Sequence, residues 1–524
     1  MSVIEPDWLK RAVFYQIYPQ SFYDANGDGI GDLDGIAAKL DYLTDLGVNA
    51  LWLNPCFESP FKDAGYDISD YCRIAPRYGT NESFKALLEA VHERDMRLCL
   101  DLVAGHTSDR HPWFVASSRA AANEFSDRYV WTDDPWLTRD GELSFISGMS
   151  ERAGSYAINF FAHQPALNYG FGATTRRYQQ RVDAPGPRAT LAALEDVMRF
   201  WLDLGVDGFR VDMAASLVKR DPNAIGLRRL WREVRQWLDS NYPDRVLISE
   251  WGNPELAIDA GFHVDFMLFY AGVQGYDALV LSPDSFPPRR DAPYFSRDGD
   301  GDFDRFWEAF AFQQRHIDGR GLISLPSSNH DCSRPRVGRD YADLKVLYTF
   351  LLTWPQVPFI YYGDEIGMRY VAATPNREGA YQRAGSRTPM QWDSTPLAGF
   401  STNPDATPYL PVDPARDRPT VAAQRADRAS LWHHVERLIY LRVTESDLAA
   451  DAALDLIATG YPLVYRRGSS LIVAINPGET SHTVELPPLG DAAAVLAEHC
   501  QLAHTPTGWQ LRIGARGYGV FTVR

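Results

Sequence analysis

The sequence predicts an α/β protein built on a (β/α)8 barrel, with an inserted subdomain after the third strand and a C-terminal antiparallel β-domain. Eight short apolar runs alternate with amphipathic helical stretches, which is the pattern of a parallel sheet. A doubly wound open sheet shares this alternation. Polar residues directly follow several of the runs, and this favours the barrel because a barrel places its site at the carboxyl ends of its strands.

The predicted barrel strands are short segments rich in β-branched and aromatic residues. In chain order they read AVFYQIYP, NALWLNP, MRLCLDLVAGH, GFRVD, RVLISE, HVDFMLFY, GLISLPSSNHD and VPFIYYGDE. Between them lie stretches such as GTNESFKALLEAVHERD and TLAALEDVMRFWLDLG, whose apolar residues recur at helical spacing. The alternation of the two patterns predicts one strand and one helix per repeat.

The alternation stops in two places, and each place predicts a separate domain. Residues 107–172 are rich in Trp, Ser, Gly and Asp and are too many for an ordinary loop, so we expect an inserted subdomain there. From residue 448 onward short alternating strands such as SSLIVAINPG follow one another, which predicts a small β-sandwich over 448–524. The (β/α)8 TIM barrel then comprises residues 1–106 and 173–447.

The charge balance disfavours polyanionic partners. Of the 524 residues, 52 are Lys or Arg and 68 are Asp or Glu, so the net charge is -16 and the chain would repel nucleic acid and anionic membranes. The N-terminal stretch MSVIEPDWLKRAVFYQIYP has no apolar signal core, and no uncharged run reaches the roughly 18 residues that span a bilayer. We expect a cytoplasmic protein with a small-molecule substrate, monomeric or homo-oligomeric.

Charged and polar residues stand at the ends of five of the predicted strands. They are Asp67, His106, Arg210, Asp212, Glu250, His330 and Asp331. Each residue by itself could be a buried polar group satisfied by its neighbours, but in a barrel all seven converge on one cavity. Four of them are carboxylates. Cleavage of a glycosidic bond with retention needs a carboxylate nucleophile and a carboxylic acid that later acts as base.

Four segments identify the chain as a member of the α-amylase family of glycoside hydrolases, family 13. DLVAGHTSD, GFRVD, ISEW and SSNHD resemble the four motifs of that family in order and spacing. The resemblance implies that Asp212 is the nucleophile, Glu250 the acid/base and Asp331 the transition-state stabiliser. It also implies a set of substrate-binding residues, namely Asp67, His106, Arg210, His330, Arg387, Tyr66 and Arg334.

Arg210 explains why a buried strand accepts a carboxylate at Asp212. A cation beside a carboxylate lowers its pKa, which suits a nucleophile, whereas Glu250 needs a raised pKa to stay protonated. Two carboxyl groups about 5 Å apart would make the reaction retaining.

Further segments resemble the oligo-1,6-glucosidase, α-glucosidase and trehalose synthase branch of the family. They are QIYPQSFYDANGDGIGDLDGI, GYDISDY, IYYGDEIGM, RTPMQWD and HHVERLIYLR. In that branch the aspartate of GYD pairs with the arginine of RTPMQWD and closes the pocket, which here implies a pair of Asp67 and Arg387 and exo action on short glucosides. A plain salt bridge between two loops is the alternative.

The segment DANGDGIGD predicts a structural cation site. Asp24, Asn26, Asp28 and Asp32 offer hard oxygen ligands on a tight loop, which suits Ca²⁺ or Mg²⁺. The resemblance implies the same ion and adds the carbonyl of Ile30. A turn held by Asx hydrogen bonds is the alternative, and no organic cofactor is expected.

The chain departs from the family at several positions. Gly105 stands where the first motif has asparagine, and Ala166 in HQPALN stands where the branch has aspartate. Met213 after the nucleophile is neither the small residue of α-1,4-specific relatives nor the valine of α-1,6-specific ones. Trp251 after the acid/base is also unusual, and Arg334 matches a position near the acceptor subsite in relatives. The glycosidic linkage that is cleaved and the acceptor of the glucosyl unit therefore stay open.

The sequence therefore predicts a retaining, exo-acting α-glucosidase that hydrolyses di- and short oligosaccharides through a covalent glucosyl-aspartate intermediate. The alternative is a transglucosylase or a sugar isomerase of the trehalose- or sucrose-rearranging kind, which would use the same intermediate. A non-catalytic carbohydrate-binding relative is disfavoured because Asp212, Glu250 and Asp331 are all present.

Overall fold

The computed structural model describes residues 6–506 and 508–523. Within these ranges the chain forms twenty strands, and eight of them are parallel and form the predicted barrel. The strands are β1 (Phe14–Ile17), β2 (Ala50–Leu53), β3 (Phe57–Glu58), β4 (Asp70–Ile74), β5 (Arg97–Val103), β6 (Trp131–Thr132), β7 (Arg139–Asp140), β8 (Leu143–Ser147), β9 (Ser155–Ile158), β10 (Gly208–Asp212), β11 (Val246–Ser249), β12 (Val264–Phe266), β13 (Leu322–Ser324), β14 (Phe359–Tyr361), β15 (Leu454–Ala458), β16 (Leu463–Arg467), β17 (Leu471–Asn476), β18 (His482–Leu486), β19 (Ala492–Thr505) and β20 (Gly508–Val523).

The barrel sheet has the strand order β13-β12-β11-β10-β5-β2-β1-β14, and each of these strands coincides with one of the eight predicted runs. Backbone hydrogen bonds also link its two end strands: the amide of Val357 donates to Ile323 O (2.9 Å) and the amide of Ser327 to Phe359 O (2.8 Å). Every residue of β1, β2, β10 and β11 is buried. Helices cover the outer face and side chains fill the interior, so these strands read as continuous apolar runs.

Twelve α-helices lie within the described ranges, and all but the fourth, which belongs to the inserted segment 107–172, connect or follow the barrel strands. They are α1 (Leu33–Ala38), α2 (Leu40–Leu46), α3 (Asn81–His92), α4 (Pro112–Ser117), α5 (Pro185–Leu204), α6 (Ile225–Asn241), α7 (Pro254–Asp259), α8 (Asp277–Val280), α9 (Asp304–Ile317), α10 (Tyr341–Thr353), α11 (Val421–Ala426) and α12 (Leu431–Thr444). The two predicted helical stretches form α3 and α5. A capping box at Thr80 starts α3, and Gly205, at a φ of 109°, ends α5 in the left-handed conformation that favours glycine.

The inserted subdomain is a small antiparallel sheet with the order β6-β9-β8-β7, followed by a turn that returns to the barrel. Ala166 lies in its apolar cluster with Val130, Phe145 and Ala157. Ala166 also forms an isolated antiparallel bridge with His106, directly after β5. The subdomain is thereby fixed beside the carboxyl end of the third barrel strand.

The C-terminal domain is an antiparallel sheet, which confirms the predicted antiparallel β-domain, while its description as a β-sandwich stays a prediction. Strand β20 pairs with β19 along most of its length, while its other edge meets β18 first and then β17. Tyr465 of this sheet packs its ring 5.2 Å from that of Trp354, so the sheet shares a core with α10 of the barrel. The boundaries at residues 106, 172 and 447 stay predictions, and residues 1–5, 507 and 524 lie outside the described ranges.

No helix within the described ranges combines the length and the apolar character that crossing a bilayer requires.

Candidate active site

A cavity of about 490 Å³ opens at the carboxyl ends of the barrel strands. Five of the predicted site residues line it, namely Asp212, Glu250, Asp331, His106 and Tyr66. Three more, Arg210, His330 and Arg387, lie behind this lining and contact its carboxylates. The structure thus brings eight of the ten predicted catalytic and substrate-binding residues together.

Arg210 is the buried centre of the site. Its Nη1 lies 3.1 Å from Asp212 Oδ1 and 2.8 Å from Asp101 Oδ1, and its Nη2 lies 2.8 Å from Glu250 Oε2. The guanidinium also lies 4.9 Å from the centroid of the Trp52 ring. One planar cation therefore holds three carboxylates, which is the geometry in which arginine is superior to lysine.

Three carboxylates around one cation favour retention of a proton. Burial and the charge of Glu250 raise the pKa of Asp212, although Arg210 acts in the opposite direction. The predicted effect of Arg210 is therefore present, but the net shift is upward and not downward. Burial also raises the pKa of Asp101 to about 6, again against the lowering effect of Arg210. Such a cluster titrates as a unit, and its protons are shared among interacting sites.

Glu250 is held by two neutral donors in addition to Arg210. The amide of Met213 donates to its Oε2 at 2.9 Å, and Tyr270 OH donates to its Oε1 at 3.1 Å. Met213 has a φ of 43°, which is the left-handed region that non-glycine residues rarely adopt. This conformation aims the amide that follows Asp212 at the carboxylate of the neighbouring strand.

Asp331 has the opposite electrostatic environment. Arg383 Nη1 and Arg387 Nη2 each lie 2.8 Å from its Oδ1. Burial alone would raise its pKa, but His330 and the two arginines hold that pKa well below its usual range. Burial keeps His330 neutral by lowering its own pKa, and its Nε2 lies 2.8 Å from the hydroxyl of Tyr66. The permanent cations beside Asp331 are therefore the two arginines.

The predicted pair of Asp67 and Arg387 is not formed. Asp67 accepts hydrogen bonds from Ser59 Oγ and from the amides of Lys62 and Asp63, all at 3.0 Å. Its carboxylate is used to fix the turn at 62–63, and it does not line the cavity. Arg387 instead donates to Asp331 and to His330 O.

Asp63, four residues earlier, takes the place predicted for Asp67. It lines the cavity, and its Oδ1 lies 3.2 Å from Arg383 Nη2. Arg383 in turn contacts Asp331, so a chain of ion pairs closes this end of the cavity. Burial raises the pKa of Asp63 to about 6, while Arg383 lowers it.

Arg334 was predicted near the acceptor subsite, and the structure places it elsewhere. It is 1% exposed and donates to Asp364 Oδ1 (2.8 Å), Tyr362 O (2.6 Å) and Ser386 O (2.9 Å). It therefore ties the loop after β14 to the segment before Arg387 and does not line the cavity.

Sequence reasoning missed three charged residues of the site, Asp101, Asp63 and Arg383. Asp101 could have been found, because a carboxylate inside the apolar run MRLCLDLVAGH carries the same signal as Arg210 in GFRVD. Asp63 lies on a loop and Arg383 in the short 3-10 helix Tyr381–Ser386, and neither segment has a periodic pattern, so the sequence gives no sign of their contact.

Part of the cavity wall is apolar. Met213, Trp251, Phe286 and Tyr381 line it, and the rings of Phe286 and Tyr381 meet edge to face with their centroids 6.2 Å apart.

The loop predicted to hold a cation is closed by its own backbone. Asp24 Oδ1 accepts the amide of Gly27 at 2.7 Å, Asn26 Oδ1 that of Asp28 at 2.9 Å, and Asp32 Oδ2 that of Asn26 at 3.1 Å. Among the residues that the structure describes, no group of three or more His, Cys, Asp or Glu side chains is arranged to hold a metal ion. These contacts fit the Asx-turn alternative, and the cation stays a prediction.

Comparisons with known proteins identify the family of the chain. The α-amylase catalytic-domain family matches residues 16–451. The chain is 32% identical to an oligo-1,6-glucosidase of Parageobacillus thermoglucosidasius, over 92% of this chain and 93% of that protein. It is also 32% identical to a trehalose synthase of Pimelobacter sp. (strain R48), over 84% of this chain and 80% of that one.

A solved structure has the same fold. The trehalulose synthase from Pseudomonas mesoacidophila MX-45 is matched with a TM-score of 0.79 and 26% identity, over 99% of both chains. The chain therefore belongs to the α-amylase family, within the predicted branch of oligo-1,6-glucosidases, α-glucosidases and trehalose synthases.

Proposed function

We propose that this protein is a retaining, exo-acting α-glucosidase that cleaves di- and short oligosaccharides through a covalent glucosyl-aspartate intermediate. The observation that carries the proposal is the shared guanidinium of Arg210. It holds the carboxylates of Asp212 and Glu250 from its two terminal nitrogens, at 3.1 and 2.8 Å. This arrangement supports a short separation of the two carboxyl groups, as a retaining mechanism requires.

In the proposed first step an Asp212 oxygen bonds to the anomeric carbon while the bond from that carbon to the glycosidic oxygen breaks. Glu250 gives its proton to the departing oxygen. In the second step Glu250 takes a proton from water, the water oxygen bonds to the anomeric carbon, and the Asp212 ester breaks with retention. Asp331, held ionised by its arginines, lies at the same cavity and would stabilise positive charge on the sugar ring.

The closed end of the cavity supports exo action. Asp63, Arg383 and Asp331 form consecutive ion pairs of 3.2 and 2.8 Å, and both carboxylates face the cavity. Charged hydrogen-bonding groups fixed in this way suit the hydroxyls of a terminal sugar and leave no passage for a longer chain.

A second candidate is transfer of the glucosyl unit to a sugar or another alcohol. The apolar side chains of Met213, Trp251, Phe286 and Tyr381 favour it, because a wall of this kind disfavours water beside the intermediate and contacts an organic acceptor. Relatives of both kinds exist, since the similar proteins include glucosidases and a trehalose synthase.

One experiment tests the proposal and separates the two candidates. The enzyme is incubated in turn with maltose, isomaltose, nigerose, kojibiose, trehalose and sucrose, and anomeric protons are followed by NMR from the first minutes. Early α-glucose without new disaccharide signals supports the hydrolase, and the fastest substrate identifies the linkage. New anomeric signals ahead of free glucose support the transferase. Initial release of β-glucose, or turnover retained by Asp212→Asn, would refute the retaining mechanism.

A further inference from the structure

Gly105 leaves a space beside the site, and another side chain occupies it. A Cβ atom built on Gly105 would lie 2.7 Å from Asn159 Nδ2 and 2.7 Å from Ser216 Oγ, which is closer than real contacts allow. Asn159 follows directly after β9 of the inserted subdomain. The amide that the family carries on the barrel strand is therefore matched here by an amide that reaches in from the subdomain.

The hydrogen bonds of Asn159 fix the orientation of its amide. Lys219 Nζ donates to Asn159 Oδ1 at 3.0 Å, and an ammonium group has no acceptor, so the oxygen of the amide must face the lysine. The nitrogen then faces His106 Nδ1 at 3.1 Å and Ser216 Oγ at 3.2 Å. The two hydrogens of the amide match these two acceptors.

The same contacts fix the tautomer of His106. Its Nε2 lies 3.0 Å from Tyr66 O, and a carbonyl oxygen only accepts, so Nε2 carries the proton. Its Nδ1 is then the acceptor for Asn159. Burial lowers the pKa of His106 to about 3, which keeps the ring neutral. The ring lines the cavity, and its edge is therefore held from both sides.

The second departure from the family belongs to the same junction. Ala166 is buried in the apolar cluster of the subdomain, where a carboxylate would have a large desolvation cost. Its bridge to His106 holds the strand end in register, and the amide of Leu167 donates to Gly105 O at 3.1 Å. At this junction the chain has an apolar residue at position 166, where the branch has aspartate. Its side-chain amide comes from Asn159 and not from position 105.

We propose that Asn159 is a positioning residue that holds His106 in its Nε2-protonated tautomer at the cavity, in place of the asparagine that relatives carry at position 105. Lys219 and Ser216 fix the Asn159 amide for this purpose. The inference rests on the proposed function for its effect on turnover, but the state of the histidine ring is measurable without any substrate.

The decisive variant is Asn159→Asp, which keeps the size of the side chain and its contact with Lys219. A carboxylate cannot donate to His106 Nδ1, so that nitrogen should gain a proton. We expect kcat/KM for p-nitrophenyl α-glucoside to fall by about tenfold or more, because a buried polar group that loses its hydrogen-bond partner typically costs about this much. The melting temperature should fall no further than in the control Asn123→Asp, an exposed amide of the same subdomain.

The ring state is read from ¹⁵N NMR of histidine-labelled protein, with His106 assigned by loss of its signals in His106→Gln. The wild type should show an unprotonated Nδ1 and a protonated Nε2, and Asn159→Asp should show a protonated Nδ1. Unchanged His106 signals in Asn159→Asp would overturn the proposal even if activity falls. A wild type that turns over no α-glucoside would refute the proposed function and would leave the ring measurement as the test of this inference.

Moving the amide back provides a second test. Gly105→Asn alone should lose activity, because its side chain would overlap Asn159 and Ser216. Asn159→Ala should lose activity because His106 loses its donor. The double variant Gly105→Asn/Asn159→Ala frees the space and returns an amide, so we expect it to exceed both single variants in kcat/KM. A double variant no better than Asn159→Ala would overturn the claim that one amide replaces the other.

Discussion

Replacement of Arg383 by glutamine is the most direct test of the closed end of the cavity. The substitution keeps a polar side chain but removes the cation that contacts both Asp331, at 2.8 Å, and Asp63, at 3.2 Å. A hydrogen bond to a charged group contributes about 1.5–3 kcal/mol. Arg387 still holds Asp331, so we count one such bond as lost to substrate and transition state. At 1.4 kcal/mol per factor of ten, the expected loss in kcat/KM is about 10- to 150-fold.

The same variant should move the pH dependence in a fixed direction. Asp63 has a pKa of about 6, raised by burial and lowered by Arg383, and its ionised form makes the pair. Activity of the wild type should therefore fall as the pH drops below about 6. Without Arg383 the lowering effect is lost, so this acid limb should move to higher pH. Asp101, whose pKa is also about 6, has no contact with Arg383 that would move it in the same way.

The assay is kcat/KM against pH for wild type, Arg383→Gln and the exposed control Arg377→Gln, with melting temperatures to confirm folding. Arg377 lies six residues earlier in the same segment and is exposed. The control should match the wild type. A loss of less than threefold in Arg383→Gln, or an acid limb that moves to lower pH, would refute the reasoning.

Three further predictions use the same preparations. Asp212→Asn and Glu250→Gln should each lose nearly all turnover, and a variant that keeps more than about a tenth of the wild-type rate would remove that residue from the chemistry. Asp63→Asn should raise KM with little change in melting temperature, whereas Asp67→Asn should lower the melting temperature, because Asp67 fixes the turn; the reverse result would restore the original assignment. If the loop 24–32 holds Ca²⁺, elemental analysis should find one ion per chain and a chelator should lower the melting temperature, whereas less than about 0.3 ion favours the turn.

The sequence predicted the barrel because its strands are buried on both faces. Strands of this kind appear as short, nearly continuous apolar runs, such as GFRVD and RVLISE. Arg210 and Asp212 were recognisable as site residues for a related reason. Burial of a charge in such a run has a large energetic cost, so charges that are present there must be paired or functional.

The pairing of loops could not be predicted in the same way. Asp63 and Asp67 lie four residues apart on one turn, and both are buried carboxylates. What separates them is which one accepts the backbone amides of the turn, and that depends on local dihedral angles rather than on residue type. Arg383 and Arg334 are likewise both buried arginines, and only their tertiary partners show that one faces the cavity.

The predicted downward shift in the pKa of Asp212 was wrong, because the sequence shows that Arg210 lies near Asp212 but not how many other carboxylates share that cation. Arg210 is a single cation that serves Asp101, Asp212 and Glu250, so two negative charges are uncompensated in the buried cluster and the pKa of Asp212 rises. On the other side of the cavity two arginines serve two carboxylates, and Asp331 stays ionised.

This difference in charge balance fits the two roles that the proposed reaction needs, a proton donor on one side of the cavity and a fixed negative charge on the other. The cluster around Arg210 favours retention of a proton on its buried carboxyl groups Asp212 and Asp101, and the proposed reaction needs one proton on this side of the cavity for the leaving oxygen. Asp331 cannot be protonated while Arg383 and Arg387 contact it, so it offers a permanent negative charge to the sugar ring. A site with equal numbers of cations and carboxylates on both sides would lack the acid, and one with an excess of carboxylates on both sides would lack the fixed anion.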